Sequence, residues 1–227
     1  MISVVIPAHN ESERIGDTVR ALASLPQVNE ILVVDDGSTD STAELADAAG
    51  ATVLRSPTNR GKGAALELGI EAASGNIIAL LDADLGSCAD QAACLIEPVL
   101  AGQADMTIAT FPVIPGKGGG FGFVVKLARW GINRATGQIM AAPLSGQRVM
   151  RREVWTKLGG IAPGFGAEVG LTIDALCAGF KIVEVPTTMT HRVTGRDWQA
   201  IRHRIRQFIA VAKALWVRRG IRCRPIP

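Results

Sequence analysis

Four short β-branched or leucine-rich runs, ISVVIPAH, EILVVDDGS, ATVLRSP and NIIALLDADLG, open the chain, and each leaves into a polar or glycine-containing turn. Between them lie helical patterns from Ser12 to Leu25, Ser41 to Ala49 and Gly61 to Ala73. Strands alternating with amphipathic helices make βαβ units, whose crossovers are right-handed. The alternation therefore predicts an α/β fold with a mainly parallel, Rossmann-like central sheet flanked by helices. In such a sheet ligands bind beyond the carboxyl ends of the strands, where the strand order reverses.

The polar residues that matter stand at those ends. Strand one runs into Pro7, His9, Asn10 and Glu11, strand two into Asp35, Asp36 and Gly37, and strand four into Asp82 and Asp84. Asn10 or Ser12 alone could cap a helix, and DDGSTDS alone could be a turn followed by a cap. Three acidic strand ends in register point instead to one crevice. Two carboxylates at i and i+2 across a tight turn can reach a hard cation together, and Mg2+ or Mn2+ keeps few protein ligands and takes the rest from substrate phosphates. Asp36 could accept hydrogen bonds from a base or ribose.

Charge divides the chain. Residues 1–115 carry 5 Lys/Arg against 16 Asp/Glu, and residues 116–227 carry 19 against 5. The acidic half suits a divalent cation and the basic half a phosphate-bearing or membrane-surface partner, all within one compact domain. A P-loop and a GxGxxG turn are both missing, since PAHNESE follows the first strand. The Gly-rich loop with Arg and Lys that sugar-phosphate nucleotidylyltransferases carry after strand one is missing as well. No apolar run reaches bilayer length and the start lacks a signal-peptide pattern, so a cytoplasmic protein is expected, peripheral to the inner membrane face at most. The four cysteines, Cys88, Cys94, Cys177 and Cys223, form no CxxC pair and are expected to be reduced, mostly buried small hydrophobes.

In the second half, Met106 to Thr110 reads as a strand, and FPVIPGKGGGFGF as a loop in which Lys117 either closes over an anion or merely connects. FGFVVKLARWGINRAT and PGFGAEVGLTIDALCAGF read as helices, the latter ended by Gly179, and KIVEVPTTMTHR as one or two strands. From Asp197 to Gly220 apolar residues recur at helical spacing among arginines, a C-terminal amphipathic basic helix that packs on the domain and can also meet a membrane interface through Trp198 and Trp216.

VVIPAHNE, VVDDGSTD, NRGKGAAL and LLDADL, in this order, resemble the signature blocks of family 2 nucleotide-sugar glycosyltransferases of GT-A architecture. The resemblance implies a UDP or GDP sugar donor, with Pro7, Glu11 and Asp36 around base and ribose and Lys62 and Gly63 beside the nucleotide. It puts Asp82 near ribose and sugar, and makes Asp84 the principal ligand of Mg2+ or Mn2+. Further on, SGQRVMRREVW, GFGAEVGLTIDAL and THR resemble polyprenyl-phosphate sugar transferases and glucosyl-3-phosphoglycerate synthases; in the latter a histidine at the position of His191 joins the metal.

For an inverting reaction Glu168 is the candidate base. Inverting members often carry an acidic pair including Asp there, whereas this chain has Ala167-Glu168, so the stereochemical outcome stays open. A phosphate acceptor needs no base, and Glu168 would then orient acceptor or sugar. Arg148, Arg151, Arg152, Arg192 and Arg196 offer guanidinium forks to an acceptor phosphate, with HRVTGRD, including Thr194, as the preferred clasp.

The expected function is thus metal-dependent sugar transfer to a phosphate-bearing acceptor, with lipid-linked polyprenyl phosphate of the cell envelope slightly preferred. A small phosphorylated acid such as phosphoglycerate is the alternative, and a catalytically silent nucleotide-sugar-binding module is the alternative of another class. A homodimer stands among the open partner readings, and no nucleic acid is expected.

Overall fold

The computed structural model describes residues 1–111, 122–159, 167–189, 198–221 and 223, with the backbone alone over 198–206. The chain starts with β1 (Ile2–Ala8), α1 (Ile15–Ala23), β2 (Glu30–Asp36), α2 (Thr42–Ala48), β3 (Thr52–Ser56), α3 (Lys62–Ala72) and β4 (Ile77–Leu80). A 3-10 turn (Gly86–Gln91) leads into α4 (Ala92–Leu100) and β5 (Met106–Thr110). Then follow α5 (Phe123–Thr136), β6 (Arg148–Arg151), α6 (Arg152–Leu158), α7 (Ala167–Cys177), β7 (Ile182–Pro186) and α8 (Trp198–Val217).

The strands form one sheet in the order β3-β2-β1-β4-β6-β5-β7. The pairs are parallel except those of β6, which runs antiparallel to β4 and β5. The mainly parallel sheet is as expected, and PLSGQRVMRREVW, whose pattern reads as a turn and a short strand with basic residues, supplies β6; its reversed direction is what the sequence did not show. It matters for position, because Arg148 lies opposite Leu80 and Arg151 opposite Ile77. Residues just before β6 therefore stand at the carboxyl end of β4, beside the switch point between β1 and β4.

A parallel strand covered on both faces must be apolar throughout, and β1 is. Val4 and Ile6 pack with Ile15, Val19 and Leu22 of α1 on one face, while Val5 packs with Leu66 and Ile70 of α3 on the other. Helix α3 lies close to the sheet at Gly69, where a Cβ would come within 2.4 Å of Val5 Cγ1 and 2.9 Å of Val34 Cγ2. A third cluster, including Ile108, Ile132, Ile173 and Val211, holds α5, α7 and α8 beside β5. Among the described residues, no helix is long and apolar enough to cross a membrane.

Two expectations are corrected here. Cys177 and Cys223 form a disulfide that ties the end of α7 to the segment after α8, while Cys88 is half-buried and Cys94 exposed. No CxxC spacing announces a bridge between residues brought together only by the packing of α7 and α8. Arg151 and Arg152 stand at the end of β6 remote from the crevice. Arg152 donates to the carbonyls of Gly75, Ala73 and Ile70 at 2.6, 2.5 and 3.3 Å and so closes the C-terminus of α3, and Arg151 pairs with Asp105. These two cations serve the scaffold, not a phosphate clasp.

Candidate active site

The loops after β1 and β2 brace one another. Asn10, in the left-handed region at φ 56° that asparagine tolerates, donates its backbone N–H to Ser38 Oγ at 3.0 Å and accepts Thr39 N–H at 2.9 Å. Glu11 N–H donates to Thr42 Oγ1 at 2.8 Å, and Glu11 O accepts the N–H of Ile15 as α1 begins. His9 Nδ1 lies 3.0 Å from Asp36 O. Asn10 therefore joins two strand ends and caps no helix. The cap-like role at α2 falls to Asp40, which accepts Thr42 N–H at 3.0 Å, Ser12 N–H at 3.3 Å and the Thr42 hydroxyl; burial is the largest single effect and works against its charge, but these bonds together outweigh it and hold its pKa at about 2.

Asp36, buried at the end of β2, accepts the N–H groups of Arg60 at 2.8 Å and Gly61 at 2.7 Å, one on each carboxylate oxygen. The turn it grips delivers Lys62 as the first residue of α3. Lys62 Nζ then reaches Asp82 Oδ1 at 2.5 Å. Asp82 is held a second time by Gln147, which accepts the Asp82 N–H on Oε1 at 2.9 Å and donates from Nε2 to Asp82 Oδ2. Gly146 leaves the room for this: a Cβ there would stand 2.6 Å from Lys62 Nζ and 3.5 Å from both Asp82 oxygens. With side chains 37% and 31% exposed, the Lys62–Asp82 pair adds stability on the order of 1 kcal/mol or less. Its consequence is orientation.

The turn bearing Asp84 is pinned from α1. Buried Thr18 donates from Oγ1 to Ala83 O and accepts Gly86 N–H, both at 2.8 Å, and Arg14 donates to Asp84 O at 3.2 Å. Half-buried Glu168 sits in the first turn of α7. Burial works against the charge on Lys62, but Asp82, Glu168 and Asp84 together outweigh it and raise its pKa above the ordinary lysine value. Three carboxylates thus act on one ammonium, an excess of hard anionic oxygen that fits Mg2+ or Mn2+ completed by phosphate oxygens. Among the described residues no group of three or more His, Cys, Asp or Glu side chains forms a cage.

The structure therefore brings Lys62, Asp82, Asp84 and Glu168 together, with Pro7, Glu11, Asp36 and Gly63 at the neighbouring strand and helix ends. It places Arg148 elsewhere than expected. That guanidinium is 1% exposed and donates to Ser145 O and Thr172 Oγ1, both at 2.9 Å, so it props the turn before β6 and α7 from beneath. Burial lowers its pKa to about 10 in spite of Glu168 and Glu184, and it stays charged at neutral pH. A cation so enclosed is not presented to an acceptor, which corrects its assignment as a phosphate contact. Lys117, His191, Arg192, Thr194 and Arg196 lie outside the described residues. Gln147, Gly146, Thr18 and Arg14 escaped sequence reasoning; only the antiparallel pairing of β6 with β4 brings Gln147 to Asp82.

Residues 3–159 match the family model described as glycosyl transferase family 2. The chain is 33% identical over 196 residues to glucosyl-3-phosphoglycerate synthase of Mycobacterium tuberculosis (strain ATCC 25618 / H37Rv), covering 76% of this chain and 60% of that protein. It thus spans about six-tenths of the length of the synthases it matches. The solved structure of the M. tuberculosis synthase with Mg2+ and UDP superposes with a TM-score of 0.81 at 31% identity, covering 97% of this chain and 80% of that one. The same synthase with Mn2+, UDP-glucose and phosphoglyceric acid gives 0.80, again at 31% identity and with the same coverage.

Proposed function

This chain belongs to glycosyl transferase family 2, and from that premise we propose that it transfers a sugar, glucose foremost, from a UDP-sugar to a small phosphorylated acid of the phosphoglycerate kind. The observation that carries this reading is the superposition, over 97% of the chain, on a synthase holding Mn2+, UDP-glucose and phosphoglyceric acid. It reverses the order of acceptors expected from the basic C-terminal helix, since phosphoglycerate now stands ahead of polyprenyl phosphate. Residues 1–115 serve the donor in this scheme and residues 116–227 the acceptor.

Asp36 holds the turn that aims Lys62, and Lys62 with Gln147 fixes Asp82 toward donor ribose and sugar. Pro7 and Glu11 border the base, and Gly63 opens α3 beside the nucleotide. Asp84 holds the divalent cation, joined by His191. When bound, that cation offsets charge on the diphosphate leaving group. Glu168 faces the same centre from α7, where it orients the incoming acceptor or takes its hydroxyl proton. Arg192, Thr194 and Arg196 form the acceptor clasp.

Incubation with UDP-glucose, 3-phosphoglycerate and Mn2+ tests the reading. UDP release that requires all three, together with a glucosylated phospho-acid in the mass spectrum, is the expected result. UDP release supported by polyprenyl phosphate and not by 3-phosphoglycerate would transfer the assignment to a lipid acceptor. Tight binding of UDP-sugars without turnover on any acceptor would make the chain a silent binding module.

A further inference from the structure

The basic C-terminal helix packs on α7 through Arg218 and Asp174, and its outer surface points to a further task. Helices α5 and α8 lie side by side, with Gly131 of α5 so close to Leu215 that a Cβ there would meet its Cδ2 at 2.2 Å. Neither helix contains a single Asp or Glu. Lys126, Arg129 and Arg134 of α5 are exposed, as are Lys213 and Arg219 around the end of α8. Large apolar side chains share this surface: Trp130 is 60% exposed, Trp216 67% and Ile209 59%. The two tryptophans border one open groove of about 220 Å3, with Arg134 and Arg219 at its rim. Arg219 lies over the Trp216 ring, 4.1 Å from its centroid.

We propose that the α5–α8 face of this chain docks on an anionic lipid bilayer. Exposed indoles and aliphatic side chains suit the depth just below the headgroups, and the exposed cations of two helices that carry no Asp or Glu complement a negative leaflet. Charge complementarity selects this occupant over a second copy of the chain, which would set cations against cations. The inference rests on none of the residues assigned to donor or acceptor above and is independent of that assignment.

Co-sedimentation of the full chain with phosphatidylcholine vesicles, with and without phosphatidylglycerol, tests it. Binding is expected only to the anionic vesicles, with a blue shift of tryptophan emission, and is expected to fall away between about 0.05 M and about 0.5 M salt, where the screening length shortens roughly threefold. Lys213→Gln and Arg219→Gln should each weaken binding about fivefold, near the contribution of one surface cation. Trp216→Ala should weaken it further while leaving the thermal midpoint unchanged, because the side chain lies mostly in solvent. Equal binding to neutral vesicles, no binding at low salt, or indifference to all three substitutions would overturn the proposal. So would a dimer that Trp216→Glu dissociates in a chain that never sediments with vesicles.

Discussion

Asp82 carries its function through the groups that hold it. Gln147 is a buried side chain whose two hydrogen bonds both go to Asp82, so its loss frees the carboxylate to turn without removing any charge. Gln147→Ala is expected to lower kcat/KM about a hundredfold, the scale of a misplacement near 1 Å, while far-UV circular dichroism stays native. A loss no greater than twofold would show that Lys62 alone aims Asp82. Arg148 should behave in the opposite way. Arg148→Ala leaves buried carbonyl and hydroxyl oxygens unpaired and a cavity behind, a cost of about 3 kcal/mol or more in urea unfolding. The KM for a phosphorylated acceptor should stay unchanged in the fraction that folds; a selective rise would restore Arg148 to the acceptor site. The acidic members of this centre were legible in the sequence because carboxylates ending apolar runs need a reason. Gln147 and Thr18 were not, because a neutral polar residue acquires its role only from what register and packing set beside it.

At the scale of elements, the loops that open the crevice are fastened by local bonds whose strength depends on pH. Asp40 joins the starts of α1 and α2, with a folded pKa of about 2 against an unfolded value of about 3.9. A depressed carboxylate stabilises the fold fully above its unfolded pKa and loses that contribution as pH falls through the folded one. The stability difference between the native chain and Asp40→Ala should therefore be constant above about pH 5 and shrink between about pH 4 and pH 2, as followed by chemical unfolding. A difference that persists unchanged at pH 2 would contradict the assignment. The Cys177–Cys223 bridge and the paired bonds of Arg218 to Asp174 lock α8 onto α7, the helix that begins with Glu168. Closing a loop across 46 residues contributes about 4 kcal/mol in the chain-entropy account, so Cys223→Ser should lower the unfolding midpoint by a corresponding amount and dithiothreitol should do the same to the native chain. No shift with either would mean that the bond does not form in solution. The βαβ alternation of the first half was readable from periodicity. The reversal of β6 was not, since a four-residue buried strand has the same composition in either direction.

Across the whole molecule, the acidic and basic halves share one sheet. Strand β6, from the basic half, lies between β4 and β5 of the acidic half, and its approach from the carboxyl side places Gly146 and Gln147 against Asp82. Counting charges revealed two chemistries but not this interleaving, nor that Arg148, Arg151 and Arg152 spend their charge inside the scaffold. What remains for substrate is a centre in which three carboxylates act on one lysine, and the account stands on its binding a nucleotide through a divalent cation. Calorimetric titration of UDP into the native chain and into Asp84→Asn, each with and without Mn2+, measures this directly. The account predicts binding to the native chain that Mn2+ strengthens about a hundredfold and that Asp84→Asn reduces to its metal-free level. UDP affinity that is the same with and without Mn2+, or that Asp84→Asn leaves intact in its presence, would contradict it.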